Sequence, residues 1–223
     1  MGVFMAYFSI VSLRIELYIY KNITIVKYIC LTKGLTGVVY MKILGINTSP
    51  REASNAKIAL EKALDTAKSE GAEVELINSN KLNISACQGD NYCKAHEGKC
   101  AIDDDMTQIY KAIEEADGII FAIPIYFFDV NAQMKLIIDR LYSYFQFPFA
   151  ETYGTKKVSF IITQGTPDPE AFKSTLEVQF GAFKFLGFEL QDLVVLTDNN
   201  IPGAINDKED QLSQAVEVGK NIL

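Results

Sequence analysis

The sequence is poor in the residue that most hydrolytic and many metal sites require. His96 is the single histidine among 223 residues, and histidine is the commonest general base near neutral pH and a frequent metal ligand. Catalytic triads and metal sites built from several histidines are therefore largely excluded. We expect a bound cofactor, and not protein side chains, to carry any chemistry.

Basic clusters and long uncharged apolar runs are also missing. The net charge is -7, and without a basic face the chain is not expected to bind nucleic acid. In the most apolar window, Arg14 and Glu16 interrupt the roughly 20 uncharged residues that a membrane helix needs. Neither a membrane span nor a secretory signal is predicted. The four cysteines do not have the even spread of a secreted disulfide framework, so a reducing, cytoplasmic setting is expected.

The chain divides into two parts of different character. Residues 1–40 are apolar and rich in β-branched residues, with charges breaking every run. We interpret them as an N-terminal extension outside the fold, with Met41 as the natural start. Residues 41–223 have the length and apolar content of one globular domain.

From Met41 onward, short apolar runs alternate with longer segments of helical period. This alternation predicts βαβ units and therefore an α/β fold, a doubly wound parallel sheet in three α/β/α layers. The five predicted strands cover residues 42–46, 73–77, 118–123, 157–163 and 189–195. The predicted helices cover residues 55–69, 104–116, 131–145, 170–186 and 208–222.

Ligands of such sheets bind beyond the carboxyl ends of the strands. The loop after the first strand, residues 47–55, supplies hydroxyls, Arg51 and free backbone N–H groups at a helix N-terminus, a combination that binds phosphate. Alternatively, Ser54 or Asn55 merely caps the helix and Arg51 is a surface charge. The patterns GxxxxGK[ST] and GxGxxG are absent, which disfavours a nucleoside triphosphate.

Two further loops at the same sheet edge have unusual composition. After the third strand, Pro124-Ile125-Tyr126-Phe127-Phe128 predicts a proline-stiffened turn on which a planar ring could stack, although for Phe127 or Phe128 taken singly a core position is favoured. After the fourth strand, Thr163-Gln164-Gly165-Thr166 has small polar residues and a glycine that allows close backbone approach. The coincidence of three such loops predicts one ligand site.

With these motifs the sequence resembles the NAD(P)H-dependent FMN reductases of flavodoxin-like fold, specifically their iron-sulfur flavoprotein branch. The resemblance covers about residues 41–222. The matching residues are Ser49-Pro50-Arg51 with Ser54-Asn55, the segment from Cys87 to Cys100 leading into Asp104-Asp105-Met106, Glu115-Ala116-Asp117, Pro124-Ile125-Tyr126-Phe127, and Gln133-Met134-Lys135 with Asp139-Arg140.

The resemblance implies FMN as cofactor, NAD(P)H as donor and a small soluble acceptor such as a quinone or flavin. It also implies a homo-oligomer, a dimer or tetramer. The flavin would carry the chemistry, so no catalytic side chain is expected. The implied FMN-binding residues are Ser49, Arg51, Ser54, Asn55, Pro124, Ile125, Tyr126, Phe127, Thr163, Gln164 and Gly165.

The cysteine segment departs from the pattern C-x2-C-x2-C-x4-7-C of that branch. Asp90 stands at the second position, so the candidate ligands of an iron-sulfur cluster are Cys87, Asp90, Cys93 and Cys100. A carboxylate suits such a cluster less well than a thiolate, which predicts a labile or three-iron cluster, or none. Zinc held by the three thiolates and His96, or reduced thiols without metal, are the alternatives.

Three functions stay open at this point. The first is an FMN-dependent NAD(P)H oxidoreductase. The second is an iron-sulfur flavoprotein that relays electrons from ferredoxin, and the third is a non-catalytic FMN-binding protein. Asp139 and Arg140 are predicted to form a structural ion pair on the helix after the aromatic turn; a role in binding substrate is the alternative.

Overall fold

The structure is a computed structural model that describes residues 40–223 and the backbone of residues 9–10, 13–20 and 23–30. The chain divides into two units, residues 1–40 and residues 41–223. In the first unit, β1 (Ser9–Ile10), β2 (Leu13–Tyr20) and β3 (Ile23–Cys30) form an antiparallel sheet in that order. That residues 1–40 are an extension outside the fold stays a prediction, because much of that segment lies outside the described residues.

The second unit is built on a mostly parallel sheet. Its strands are β4 (Lys42–Asn47), β5 (Glu73–Asn78), β6 (Gly118–Tyr126), β7 (Asp129–Val130), β8 (Lys156–Thr163) and β9 (Phe188–Leu196). Five of them are parallel, in the order β5-β4-β6-β8-β9, and the short strand β7 pairs antiparallel with the end of β6. The chain reverses its direction of winding between β4 and β6, which is the switch point where flavodoxin-like sheets bind their ligands.

Helices connect the strands and cover both faces of the sheet. None of the helices within the described residues is long and apolar enough to cross a membrane. Two segments predicted as single long helices end instead in 3-10 turns, Leu141–Tyr144 and Ala182–Leu186. The helices are α1 (Asn55–Ser69), α2 (Tyr92–Ala95), α3 (Met106–Glu115), α4 (Ala132–Arg140), α5 (Phe149–Tyr153), α6 (Lys173–Gly181) and α7 (Glu209–Asn221).

Two apolar clusters fill the spaces between the three layers. Side chains of successive strand residues point to opposite faces, so Ile43 belongs to the cluster that includes residues of α1 and α7, while Leu44 belongs to the cluster that includes residues of α3, α4 and α6. The helices α1 and α7 approach closely, since a Cβ on Gly219 would lie 2.2 Å from the Ala63 carbonyl oxygen. The predicted three-layer α/β/α fold is confirmed.

The third strand is longer than predicted. Pro124 to Tyr126 belong to β6, and the turn consists only of Phe127 and Phe128, so the prediction of a five-residue turn is wrong. The strand continues because Ile125 and Tyr126 pair with β7 in a two-residue hairpin. Such hairpins are recognised in sequences by Asn-Gly or a similar pair, and two phenylalanines do not carry that signal.

Candidate functional site

A cleft of about 320 Å³ lies at the carboxyl ends of the central strands. It brings together all eleven residues predicted to bind FMN, with two asparagines that were not predicted. That they hold FMN stays a prediction. The lining residues are Ser49, Arg51, Ser54, Asn55, Pro124, Ile125, Tyr126, Phe127, Thr163, Gln164, Gly165, Asn199 and Asn200.

Buried hydrogen bonds join the loop after β4 to the start of α4. The Asn131 amide donates to the Thr48 carbonyl at 2.6 Å, and the Thr48 hydroxyl lies 3.0 Å from Asn131 Oδ1. Ser49 follows directly and is 2% exposed; its Oγ accepts the Arg51 N–H at 3.3 Å. The proton of the Ser49 hydroxyl is therefore free to be donated into the cleft.

The side chains of Ser54 and Asn55 both make hydrogen bonds within the protein. Ser54 Oγ caps α1 by accepting the Lys57 N–H at 3.3 Å. The Asn55 amide donates to the carbonyls of Asn199 and Ile201 at 2.9 and 2.8 Å, which ties α1 to the loop after β9. What the two residues can offer a ligand is backbone N–H groups, because the first-turn N–H groups of a helix lack carbonyl partners and attract anions.

Arg51 links two rims of the cleft. Its guanidinium donates to the Asn200 carbonyl at 2.9 Å, and Cζ lies 5.9 Å from the centroid of the Tyr126 ring. Since the side chain is also exposed, it brings a positive charge to the end of the cleft where α1 begins. An anionic group at this point meets both the cation and the positive end of the helix dipole.

The loop after β8 holds a buried acceptor that lacks a partner. Gln164 is 2% exposed, and its amide donates to the Asp168 carbonyl at 2.6 Å. Its Oε1 has no hydrogen-bond partner, and an unpaired buried acceptor costs on the order of 1–3 kcal/mol. A ligand that presents an N–H group would remove this cost.

Gly165 is needed for a protein contact, and not only for approach of a ligand. A Cβ at this position would lie 2.1 Å from Asn200 Oδ1, so a larger residue would displace Asn200. Asn199 and Asn200 follow β9, at the same edge as the three predicted loops. The rule that ligands bind beyond strand ends would have found them if the fifth strand had been included.

The hairpin tip at the mouth of the cleft is exposed. Phe127 and Phe128 are 95% and 70% exposed, so the core position favoured for them singly is wrong. Phe127 lines the mouth of the cleft, while the Phe128 ring meets Phe172 edge-on at 5.8 Å between centroids. Aromatic rings therefore flank the cleft on this side.

The cysteine segment does not assemble a metal site within the described residues. No group of three or more His, Cys, Asp or Glu side chains there could hold a metal ion. Cys93 is buried, whereas Cys87 is exposed. Asp90 Oδ1 accepts the Tyr92 N–H at 2.9 Å, and the His96 ring stacks on Tyr92 at 3.6 Å. As folded, these donors fit neither an iron-sulfur cluster nor a zinc ion.

Arg140 binds the chain on both sides of the cysteine segment. Its guanidinium binds both carboxylate oxygens of Asp104 at 2.7 and 3.2 Å and donates to the carbonyls of Ser85 and Ile102 at 3.0 and 3.4 Å. Burial raises the pKa of Asp104, but the hydrogen bonds from Arg140 and from backbone N–H groups outweigh it, so the pKa lies below its ordinary value.

The predicted Asp139–Arg140 ion pair is therefore wrong. Asp139 pairs instead with Lys135, one helical turn away. Adjacent residues on a helix point in different directions, whereas residues three or four apart face each other.

The fold is that of a flavodoxin-like domain, with its cleft at the carboxyl ends of the strands. An NAD(P)H:quinone oxidoreductase from Methanothermobacter marburgensis has the same fold, with a TM-score of 0.65 and 18% identity over 83% of this chain and 100% of that chain. Residues 41–170 match the family described as NADPH-dependent FMN reductase. The chain belongs to this family of flavin-dependent oxidoreductases.

Relatives in the family include iron-sulfur flavoproteins of archaea. One from Archaeoglobus fulgidus is 32% identical over 82% of this chain and 79% of the relative. Another, from Methanocaldococcus jannaschii, is 44% identical over 45% of this chain. The chain spans about half the length of the latter relative, 51%.

Proposed function

We propose that the protein is an FMN-dependent NAD(P)H oxidoreductase that passes electrons to a small soluble acceptor. The observation that carries the proposal is the chemistry of the cleft at the switch point. The cleft lining combines a helix N-terminus and Arg51 with aromatic rings and a buried acceptor that lacks a partner. This combination suits a molecule that carries both an anionic group and a planar ring with an N–H group.

Different residues of the cleft would bind the phosphate and the ring of FMN. The Ser49 hydroxyl, the first N–H groups of α1 and the Arg51 guanidinium would hold the phosphate. The segments 124–127 and 163–165 would flank the ring, with Gln164 Oε1 accepting a hydrogen bond from its N–H group. Bound FMN supplies hydride acceptance from NAD(P)H and electron transfer onward, so the side chains bind, orient and exclude water.

The test separates binding of the phosphate from binding of the ring. Apo-protein is titrated with FMN and with riboflavin, which lacks the phosphate, and quenching of flavin fluorescence is followed. We expect Arg51→Met to weaken FMN binding at least about tenfold, because hydrogen bonds to charged groups contribute roughly 1.5–3 kcal/mol. Riboflavin binding should change less than twofold.

Lys57→Met is the matched control, since Lys57 is a neighbouring cation that pairs with Glu61 and does not line the cleft. Equal loss of affinity for FMN and riboflavin in the Arg51 variant would refute the assignment of the phosphate to this loop. Wild-type protein that binds neither flavin would refute the proposed function. FMN-loaded protein that does not oxidise NADH or NADPH would support the non-catalytic alternative.

The second candidate is a flavoprotein that receives electrons from ferredoxin and passes them on. It is favoured by the iron-sulfur flavoproteins among the relatives. The cysteine segment, within the described residues, does not assemble the donors that a cluster would need. Reduction of bound flavin by reduced ferredoxin but not by NAD(P)H would favour this candidate. The oligomeric state and the cytoplasmic location stay predictions.

A further inference from the structure

A second cavity, of about 260 Å³, is lined in part by residues 97–100 at the end of the cysteine segment. It shares no lining residue with the cleft at the carboxyl ends of the strands. Its lining includes four aromatic rings and one buried carboxyl group, those of Tyr110, Tyr144, Phe147, Tyr153 and Glu114. The volume lies just below the range of about 300–1,000 Å³ that is usual for ligand pockets, so the cavity suits a small molecule.

The cysteine segment is fixed next to these rings by contacts of its own. Lys94 Nζ donates to the carbonyl of Tyr142 at 2.6 Å and also to that of Phe145. Gly98 has a φ of 76°, and a Cβ at this position would lie only 3.2 Å from Phe147 Cγ. Both the backbone conformation and the close approach to a ring of the cavity therefore require glycine at position 98.

The carboxylate of Glu114 is partly buried and is not neutralised by a directly bound cation. Tyr144 Oη donates to it at 3.1 Å, whereas Lys156 donates to the backbone carbonyls of Glu114 and Tyr153. Burial raises the pKa of Glu114, and the hydrogen bond from Tyr144 and the charge of Lys156 offset this only in part. A cation bound in the cavity would stabilise the carboxylate.

The two lysines in the lining have acidic partners of their own. Lys99 lies 4.0 Å from Glu97, and Lys111 lies 3.9 Å from Glu115. Both lysine side chains are largely exposed, so water screens their charges. The rings and Glu114 therefore determine what the cavity binds, and they favour a cation over an anion.

Aromatic rings attract cations through their quadrupole, and sets of such rings bind quaternary ammonium groups. A metal ion is not favoured, because no group of three or more suitable side chains was found within the described residues. A primary ammonium group is strongly hydrated and has three N–H donors that need acceptors, which aromatic rings do not provide in that number. A methylated ammonium ion has fewer N–H groups or none.

We propose that this cavity is a binding site for a small methylated ammonium ion, held by the rings of Tyr110, Tyr144, Phe147 and Tyr153 and by the carboxylate of Glu114. The site is separate from the cleft assigned to FMN. The proposal therefore does not depend on the proposed function.

The experiment uses the purified full chain and choline as the probe. Binding is followed by saturation-transfer nuclear magnetic resonance of the choline methyl protons. The comparison ligand is the uncharged alcohol in which a carbon atom replaces the choline nitrogen, so the two ligands have the same shape. We expect wild type to bind choline at least about tenfold more tightly than the alcohol, since only choline has a charge for the rings and the carboxylate to attract.

Two variants test the two parts of the site. Glu114→Gln removes the charge but keeps an acceptor for the Tyr144 hydroxyl, and Phe147→Leu removes a ring but keeps an apolar side chain. We expect each variant to weaken choline binding by about five- to tenfold. The affinity for the alcohol should change by no more than about twofold, because the alcohol has no charge.

The matched controls are Glu115→Gln and Phe185→Leu. Glu115 is the neighbouring acid and pairs with Lys42, and Phe185 is an exposed ring; neither lines the cavity. Choline affinity should change by less than about twofold in both, since charges at exposed sites interact weakly. A loss in Glu115→Gln as large as that in Glu114→Gln would overturn the proposal.

Thermal unfolding gives a readout that does not depend on the stability of each variant. A ligand that binds the folded state raises the melting temperature, so choline should raise that of wild type and should raise those of Glu114→Gln and Phe147→Leu less. Equal affinity for choline and the alcohol, or no saturable choline binding in wild type, would overturn the proposal. Equal affinity for ammonium and choline would overturn the assignment to methylated ions.

Discussion

Replacing Arg140 should show how much of the domain's stability depends on one buried ion pair. Its side chain is fully buried and that of its partner, Asp104, is 5% exposed. Arg140→Met keeps the apolar stem but removes the guanidinium. The change leaves the Asp104 carboxylate without its counter-ion and the carbonyls of Ser85 and Ile102 without a donor.

The expected loss follows from the burial of the pair. Removing one partner of a buried pair costs about 3–5 kcal/mol, because the remaining charge stays desolvated. For a chain of this length, 1 kcal/mol lowers the melting temperature by about 2–4 °C, so a decrease of roughly 6–20 °C is expected. The segment between Ser85 and Ile102 should also become more sensitive to proteolysis, because Arg140 binds both of its ends.

Urea unfolding followed by circular dichroism measures the effect. Lys135→Met is the control on the same helix, since Lys135 pairs with Asp139 at an exposed position and exposed pairs contribute about 0–1 kcal/mol. The double variant Arg140→Met/Asp104→Asn should lose less than the sum of the two single variants. A loss of under about 1 kcal/mol in Arg140→Met, no larger than that of the control, would refute the reasoning.

Two further predictions concern the same region. The pKa of Asp104 in the folded protein lies below the ordinary value of 3.8. Its contribution to the free energy of unfolding is therefore fully present above about pH 4 and is lost as the pH falls through the folded pKa. Urea unfolding of Asp104→Asn between about pH 3 and 7 should lack this part of the pH dependence, and a pH dependence identical to that of wild type would contradict the assignment. Asp90→Cys restores the C-x2-C-x2-C spacing of the iron-sulfur branch, so anaerobic reconstitution should give more iron and acid-labile sulfide per FMN than in wild type; equal iron in both proteins would show that position 90 does not limit cluster assembly.

Local patterns in the sequence were sufficient to predict the architecture and most of the candidate site. Alternation of apolar runs predicted the sheet, and the start of α1 at Asn55 and its end at Ser69 were predicted to the residue. Three of the four segments that line the cleft were predicted because parallel strands place their carboxyl ends at one edge. Each of these signals acts within a few residues or follows from the order of the strands.

Tertiary structure alone decided which side chains meet across long stretches of chain. Arg140 pairs with Asp104, 36 residues away, and not with its neighbour; the Asn55 amide is used by the loop after β9, 144 residues away. The hairpin that exposes Phe127 depends on pairing with β7. Such contacts depend on how helices and loops pack in space, and no local period or cap in the sequence encodes that packing.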